Sequence, residues 1–187
     1  MLMDFRDKDK RSFVKKIIAS DLDGTLLNSE SKVSEENFKA IEELAEHGVY
    51  VVPSSGRTLS EIPEQIRKSE NIRYIIYSNG AAVRDKVLGT DILMCIKKDD
   101  AKRIFDILYS YKQHMTVRVG GKCYIDELCQ TDFDYEFYNV WKLHKEVINE
   151  YGILQRDFKE FCYSVDNVEV ISAFFHDNKD KEECKMR

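Results

Sequence analysis

Residues 15–30, KKIIASDLDGTLLNSE, are the part of the chain from which a fold and a functional site are most readily predicted. An apolar run at residues 17–20 leads directly into two acidic residues, Asp21 and Asp23, which one leucine separates and Gly24 follows. Neighbouring carboxylates repel each other, and this repulsion costs free energy unless a cation lies between them or the pair performs chemistry. We therefore expect a functional site directly after the first strand.

Two further short apolar runs follow the first, VYVV at residues 49–52 and YIIY at residues 74–77. Runs of consecutive β-branched or aromatic residues are typical of strands that are buried on both faces of a parallel sheet. A helical pattern between the first two runs begins at Ser34 and ends at Gly48. The alternation of strand and helix predicts the fold class α/β, with a doubly wound parallel sheet.

A second helical pattern runs from about Thr58 to Lys68. Pro63 predicts that this helix is short or kinked, because proline cannot donate the backbone hydrogen bond of a helix interior.

The sequence changes in character after Asn79 and Gly80, where it becomes richer in aromatic residues and α+β in pattern. We expect a hairpin (82–96), a helix (99–113), a hairpin around Gly120 and Gly121, a long helix (131–151) and a strand (168–175). The predicted organisation is an N-terminal extension (1–14), a partial core of three parallel strands with helices (15–81), and an inserted α+β unit (82–187).

Aromatic residues recur every four positions in the predicted long helix, at Phe133, Phe137 and Trp141, with Tyr138 beside them. This spacing places them on one helix face. Two interpretations remain open: packing inside the second unit, or an aromatic surface that faces a substrate.

Composition and charge exclude several classes of protein. The chain has 187 residues, of which 43% are hydrophobic and 34% charged, and its net charge is −5, which predicts a globular protein without a nucleic-acid-binding or anionic-membrane surface. The five cysteines form no metal-ligand spacing and their number is odd, so buried thiols in the reducing cytoplasm are favoured over disulfides or structural zinc.

The carboxyl ends of all three predicted strands carry small or polar residues, and ligands of parallel α/β sheets bind there. Asp21 is placed to act as a nucleophile and Asp23 as a general acid and base. The Ser55 hydroxyl and the Gly56 amide, at the expected start of a helix, are placed to hold phosphate oxygens. Mg²⁺, which prefers a few carboxylate oxygens together with substrate phosphate, would relieve the repulsion between the two acids.

The ordered segments DLDGT, SSGR and SNGA resemble the motifs of the haloacid dehalogenase superfamily of phosphatases, and the large insert resembles that of its Cof-type branch. The resemblance implies that Asp21 forms a phosphoaspartate, that Asp23 is the general acid and base, and that Ser55 holds the phosphate. It also implies that the Asp21 carboxylate and the Asp23 main-chain carbonyl bind Mg²⁺. Arg57 and Asn79 occupy similar positions, where substrate contact and a purely structural role both remain open.

The sequence departs from this family in one respect. The resemblance implies a lysine and a GDxxND segment after the insert, and neither follows the pattern in these 187 residues. We expect that the chain comprises half of the core and most of the cap, which is incomplete at its C-terminus. The strand before Asp21 should then lie at an exposed sheet edge and favour self-association.

Two functions of different classes follow from these observations. The first is a Mg²⁺-dependent phosphatase of small phosphorylated metabolites such as sugar phosphates. The second is a binding or regulatory protein that has kept the second unit but lost the chemistry. A signalling receiver domain also has a phosphorylatable aspartate at a strand end, but it fits less well because it has no large insert.

Overall fold

The computed structural model describes residues 16–187. The predicted N-terminal extension, residues 1–14, lies outside the described residues. The described residues form two sheets, one of five strands and one of four.

The first sheet has the strand order β1-β2-β3-β4-β5. Strands β1, β2 and β3 are parallel to one another, β4 is antiparallel to β3, and β5 is antiparallel to β4. Its strands are β1 (Lys16–Asp21), β2 (Val49–Ser54), β3 (Tyr74–Tyr77), β4 (Ala82–Asp85) and β5 (Thr90–Leu93). The predicted α/β class and the three parallel strands are therefore confirmed. The register pairs Asp21 with Ser54 and Ser54 with Ile76, so the carboxyl ends of the three parallel strands lie at one edge.

Helix α1 (Glu35–Glu46) begins and ends where the sequence predicts. The Ser34 hydroxyl accepts a hydrogen bond from the Asn37 amide at its start, and Gly48, with a φ of 72°, follows its end. Ile41 is buried in the core beside the sheet, so the apolar stripe of this helix covers one face of the strands.

The helical pattern from Thr58 to Lys68 is interrupted, which confirms the expectation from Pro63 that a helix here is short or kinked. One 3₁₀ turn (Leu59–Glu61) is followed by the short helix α2 (Glu64–Lys68). Pro63 separates them, because the residue before a proline is held in extended geometry, and Ile62 has a ψ of 131°.

The first predicted hairpin exists, but it belongs to the first sheet. Strand β4 pairs antiparallel with β3 as well as with β5, so the sheet continues through residues 82–93. A division of the chain into two units at residues 81 and 82 stays a prediction, and the hydrogen bonding favours a later position for it.

The second sheet has the order β8-β7-β6-β9. Its strands are β6 (Gln113–Val119), β7 (Lys122–Asp126), β8 (Ile153–Gln155) and β9 (Val168–Phe175), and its helices are α3 (Lys98–Leu108), α4 (Asp132–Phe137), α5 (Lys142–Tyr151), α6 (Phe158–Ser164) and α7 (Asn178–Lys185). The predicted second hairpin (β6 and β7) and the strand at 168–175 are confirmed. The helix predicted at 99–113 ends earlier, at Leu108.

The predicted long helix at 131–151 is wrong, because α4 and α5 are separate helices. Asn139 lies between them with a φ of 54°, which is a left-handed conformation that asparagine tolerates better than most residues. Its side-chain amide donates hydrogen bonds to the carbonyls of Phe175 and His176. These bonds to β9 and the residue after it stabilise the break in place of the helical ladder.

No helix among residues 16–187 is long and apolar enough to cross a membrane. All five cysteines are free thiols, of which Cys123 and Cys162 are buried.

Strand β1 lies at the edge of the first sheet, and within residues 16–187 it pairs with β2 alone. Its residues Ile17 and Ile18 are 64% and 44% exposed, which confirms the expected position at a sheet edge.

Because an exposed apolar edge favours pairing with another strand, we expect concentration-dependent self-association in analytical ultracentrifugation, and Ile17→Lys should reduce it. Val87→Lys is the matched control, since Val87 is 71% exposed but lies in the turn between β4 and β5. Equal association of all three proteins would contradict a role of β1.

Candidate active site

The turn after β1 directs both acids outward. Leu22 and Leu26 are buried in the first core and anchor the two ends of this wide helical turn. Gly24 has a φ of 74°, which reverses the chain between them at no steric cost. Asp21 and Asp23 are exposed as a result, and both line one cleft.

Asp23 forms a bidentate ion pair with Arg57, whose side chain is only 12% exposed. Arg57 Nη2 and Nε donate to the two carboxylate oxygens at 2.8 and 3.0 Å, and Nη1 donates to the Glu61 carbonyl. The hydrogen bond to Asp23 is the main reason why the pKa of Arg57 is raised. Of the two roles left open for Arg57, the structure thus shows a structural ion pair, and its partner Asp23 was not predicted from the sequence.

The Ser55–Gly56 segment is a loop and not the start of a helix, which corrects the prediction. The buried Ser55 hydroxyl accepts a hydrogen bond from the Arg57 amide at 3.2 Å. Asn79 has a φ of 55°, and its main-chain amide donates a hydrogen bond to the Ser55 carbonyl. A Cβ added to Gly56 would lie 2.7 Å from Asn79 Oδ1, so an alanine here would require the exposed Asn79 side chain to move.

Gly56→Ala should therefore destabilise the protein by at most about 1 kcal/mol, the low end of what overpacking usually costs, because the exposed Asn79 side chain can turn away. The backbone of Gly56 is compatible with alanine, since its φ is not in the left-handed region. Urea denaturation measures the effect. Asn79→Gly in the same chain removes the colliding side chain and should restore most of the loss. An unchanged urea midpoint for Gly56→Ala would contradict the contact.

The cleft has a volume of about 870 Å³ and extends from the two acids to the second sheet. All six residues predicted for the site line it: Asp21, Asp23, Ser55, Gly56, Arg57 and Asn79. Its far wall contains Tyr138, Trp141 and Phe174, and the rings of Trp141 and Phe174 meet edge to face at 5.9 Å. Trp141 is 73% exposed and Phe133 is 71% exposed, so packing inside the second unit was the wrong interpretation for both.

Sequence reasoning missed Arg118, a buried residue of β6 that lines the cleft. Its Nη1 donates to the Gly56 carbonyl, and its Nη2 lies 3.8 Å from the carboxylate of Glu61, which is also buried. The available signal was the alternation of His114, Thr116 and Arg118 with apolar residues along β6. Such alternation normally predicts a solvent-facing side, whereas all three residues are buried.

Sequence reasoning also missed Glu169, a buried residue of β9. Its two carboxylate oxygens accept hydrogen bonds from the Ser78 hydroxyl and the Gly121 amide, each at 2.6 Å. These contacts join the second sheet to the loop that follows β3. No local pattern identifies them, because 91 and 48 residues separate the partners.

Two histidines contact Phe174 of the far wall. Burial lowers the pKa of His144 to about 4, with smaller contributions from Arg118 and His114. Burial also lowers the pKa of His114, whose ring contacts Tyr135. Both imidazoles are therefore neutral near pH 7, and His144 adds a neutral polar group to the cleft.

The residues that line the cleft suit a hard cation with few protein ligands. Asp21 offers an exposed carboxylate, of which Oδ1 accepts a hydrogen bond from the Leu22 amide. Within residues 16–187 no three acidic, histidine or cysteine side chains cluster as a metal site. This donor set suits Mg²⁺, which keeps several waters and binds substrate phosphate.

The sequence profile of the haloacid dehalogenase-like hydrolases matches residues 18–186. The chain therefore belongs to this family, as the three motifs indicated, and is not a receiver domain.

Two solved structures share the fold. The haloacid dehalogenase-like hydrolase from B. subtilis has a TM-score of 0.59 at 29% identity and aligns over 85% of this chain and 59% of its own. A subclass IIB sugar phosphatase has a TM-score of 0.67 at 14% identity, over 90% and 62%.

Two proteins of similar sequence are named as phosphatases. The 5-amino-6-(5-phospho-D-ribitylamino)uracil phosphatase YcsE of Bacillus subtilis is 32% identical over 122 residues, which are 65% of this chain and 49% of that protein. Phosphatase YwpJ of the same organism is 38% identical over 93 residues, or 50% of this chain and 32% of that protein. The chain thus spans about half or less of the length of these relatives.

Proposed function

We propose that the chain is a phosphatase that transfers the phosphoryl group of a small phosphorylated metabolite to Asp21 and then to water. The observation that carries this proposal is the convergence of Asp21, Asp23 and Ser55 on one cleft, after three parallel strands. Membership of a hydrolase family and similarity to phosphatases support it.

In the first step an Asp21 carboxylate oxygen forms a bond to phosphorus, while the bond between phosphorus and the leaving-group oxygen breaks. Asp23 gives that oxygen a proton. In the second step Asp23 takes a proton from water, whose oxygen attacks phosphorus and releases Asp21. Arg57 holds both Asp23 oxygens in this structure, so proton transfer requires that one of them leaves the guanidinium. Ser55 and the Gly56 amide hold phosphate oxygens in both steps.

Asp21 and the main-chain carbonyl of Asp23 would hold Mg²⁺. When bound, the ion would neutralise part of the negative charge that the phosphate and Asp21 bring together.

The test is phosphate release from para-nitrophenyl phosphate by the 187-residue chain and by any longer in-frame product of its gene. We expect release that requires MgCl₂, stops with a chelator and returns when magnesium is restored. Release that survives chelation would contradict the role of the metal. Absence of release from every form would favour the binding or regulatory alternative.

The far wall of the cleft favours a leaving group that contains a planar ring over a simple sugar. Tyr138, Trp141 and Phe174 provide flat apolar surfaces, and aromatic faces bind planar rings by stacking. Two similar proteins are named as phosphatases of 5-amino-6-(5-phospho-D-ribitylamino)uracil. We expect kcat/KM for that compound to exceed kcat/KM for hexose phosphates, and Trp141→Ala to reduce this preference. Equal values would contradict this preference, and a larger value for hexose phosphates would support sugar phosphates instead.

The cytoplasmic location that the cysteines suggest stays a prediction.

A further inference from the structure

We infer that Glu169 is a positioning residue. Through it the second sheet holds the proposed phosphate-binding loop (residues 55–57) and the Arg57–Asp23 pair in their active arrangement. The catalytic part of this inference rests on the proposed function, whereas the structural part can be tested without any activity.

The contacts of Glu169 are those of a fixed anchor. Its side chain is buried, and each carboxylate oxygen accepts one short hydrogen bond, from Ser78 Oγ on one side and the Gly121 amide on the other. Hydrogen bonds to an ionised acceptor are roughly twice as strong as neutral ones. The Gly121 carbonyl in turn accepts a hydrogen bond from the Ser60 amide. Glu169 therefore joins β9, the turn between β6 and β7, and the loop after β3.

The loop that Glu169 holds is strained. Ser78 and Asn79 have φ values of 50° and 55°, which place two consecutive residues other than glycine in the left-handed region. Such conformations persist only where surrounding contacts enforce them. Here the Ser78 hydroxyl is fixed by Glu169, and the amides of both residues donate to the phosphate-binding loop.

A continuous set of hydrogen bonds then leads from Glu169 to the second acid. The Ser78 amide donates to the Arg57 carbonyl at 2.8 Å, and the Asn79 amide donates to the Ser55 carbonyl at 3.1 Å. Arg57 holds Asp23 through its guanidinium. Release of Ser78 from Glu169 would loosen the support of the 55–57 loop, and with it the orientation of Arg57. Small displacements of positioning groups are known to cost large factors in rate.

Amide hydrogen exchange measured by NMR tests the structural part. In Glu169→Met, which retains size but removes both acceptors, the Ser78 and Asn79 amides should exchange on the order of 10-fold to 100-fold faster relative to Val117. Val117 lies in β6, between β7 and β9, and reports global unfolding.

Ser78→Ala is the milder second variant, because it removes the hydroxyl alone. It should give a similar acceleration at Ser78 and Asn79, and the double variant should give little more than Glu169→Met alone, since that change already removes the hydrogen bond from Ser78. Asp85→Asn is the matched control. Asp85 is also a buried acid, but it pairs with Arg73 away from the cleft, so the exchange of Ser78 relative to Val117 should not change.

Inorganic phosphate with MgCl₂ tests the positioning role, by titration of the Gly56 and Arg57 amide signals. We expect phosphate to bind about tenfold more weakly to Glu169→Met and Ser78→Ala than to the unmodified chain and Asp85→Asn. Accelerated exchange with unchanged phosphate affinity would overturn the positioning role, and unchanged exchange in both variants would overturn the anchor itself. If the unmodified chain bound no phosphate, the proposed function would fail for this chain, and positioning would fail with it, while the exchange result would still decide the anchor.

Discussion

Asp21→Asn is expected to reduce phosphatase activity by about 10⁴-fold or more, because an amide cannot replace a carboxylate as the group that attacks phosphorus. The replacement has nearly the same shape, and Asp21 is exposed at the end of β1. The folded structure should therefore tolerate it, and the urea midpoint should change little. Initial rates with para-nitrophenyl phosphate and magnesium measure the effect.

Asp85→Asn is a suitable control for this measurement. It makes the same change of acid to amide in a buried residue that pairs with Arg73 and does not line the cleft. It should lower stability but leave the rate of the folded enzyme unchanged. Activity of Asp21→Asn above about one per cent of the original would contradict the nucleophile assignment.

Asp23→Asn is expected to give the second largest effect, a decrease on the order of 10²–10⁴-fold in turnover, as for loss of a general acid and base. The effect should depend on the leaving group. Nitrophenolate leaves without a proton, so the first step with para-nitrophenyl phosphate should be slowed less than the second. Rapid mixing should then show a burst of nitrophenol that is stoichiometric with the enzyme, followed by slow turnover.

Loss of the burst together with turnover would contradict a role of Asp23 mainly in the second step. A further consequence concerns Arg57, which loses one acceptor oxygen in this variant although its side chain is largely buried. We therefore expect a measurable decrease in stability, which urea denaturation would separate from the effect on rate.

The parallel strands and their terminal residues could be predicted from the sequence because their causes are local. Short apolar runs predict β1, β2 and β3. The residues that end parallel strands necessarily meet at one edge of the sheet. All six predicted site residues line the cleft for this reason.

The elements that were predicted wrongly depend on contacts between distant parts of the chain. The aromatic spacing at 133–141 favours a continuous helix, but Asn139 forms its hydrogen bonds with residues 175 and 176 and the helix breaks there. Arg118 and Glu169 were missed for the same reason, since their partners Gly56 and Ser78 lie 62 and 91 positions away. A charged residue in a strand predicts exposure unless its distant partner is known.

Trapping the covalent intermediate on Asp21 tests the proposed phosphoryl transfer directly. The Asp23→Asn chain, in which the second step should be slow, is mixed with para-nitrophenyl phosphate and magnesium, and the reaction is stopped with borohydride. Borohydride reduces an aspartyl phosphate to homoserine, which peptide mass spectrometry then locates. We predict homoserine at position 21 only when substrate and magnesium are both present. Nitrophenol release with an unmodified Asp21, or with the reduced residue at another position, would contradict phosphoryl transfer through Asp21.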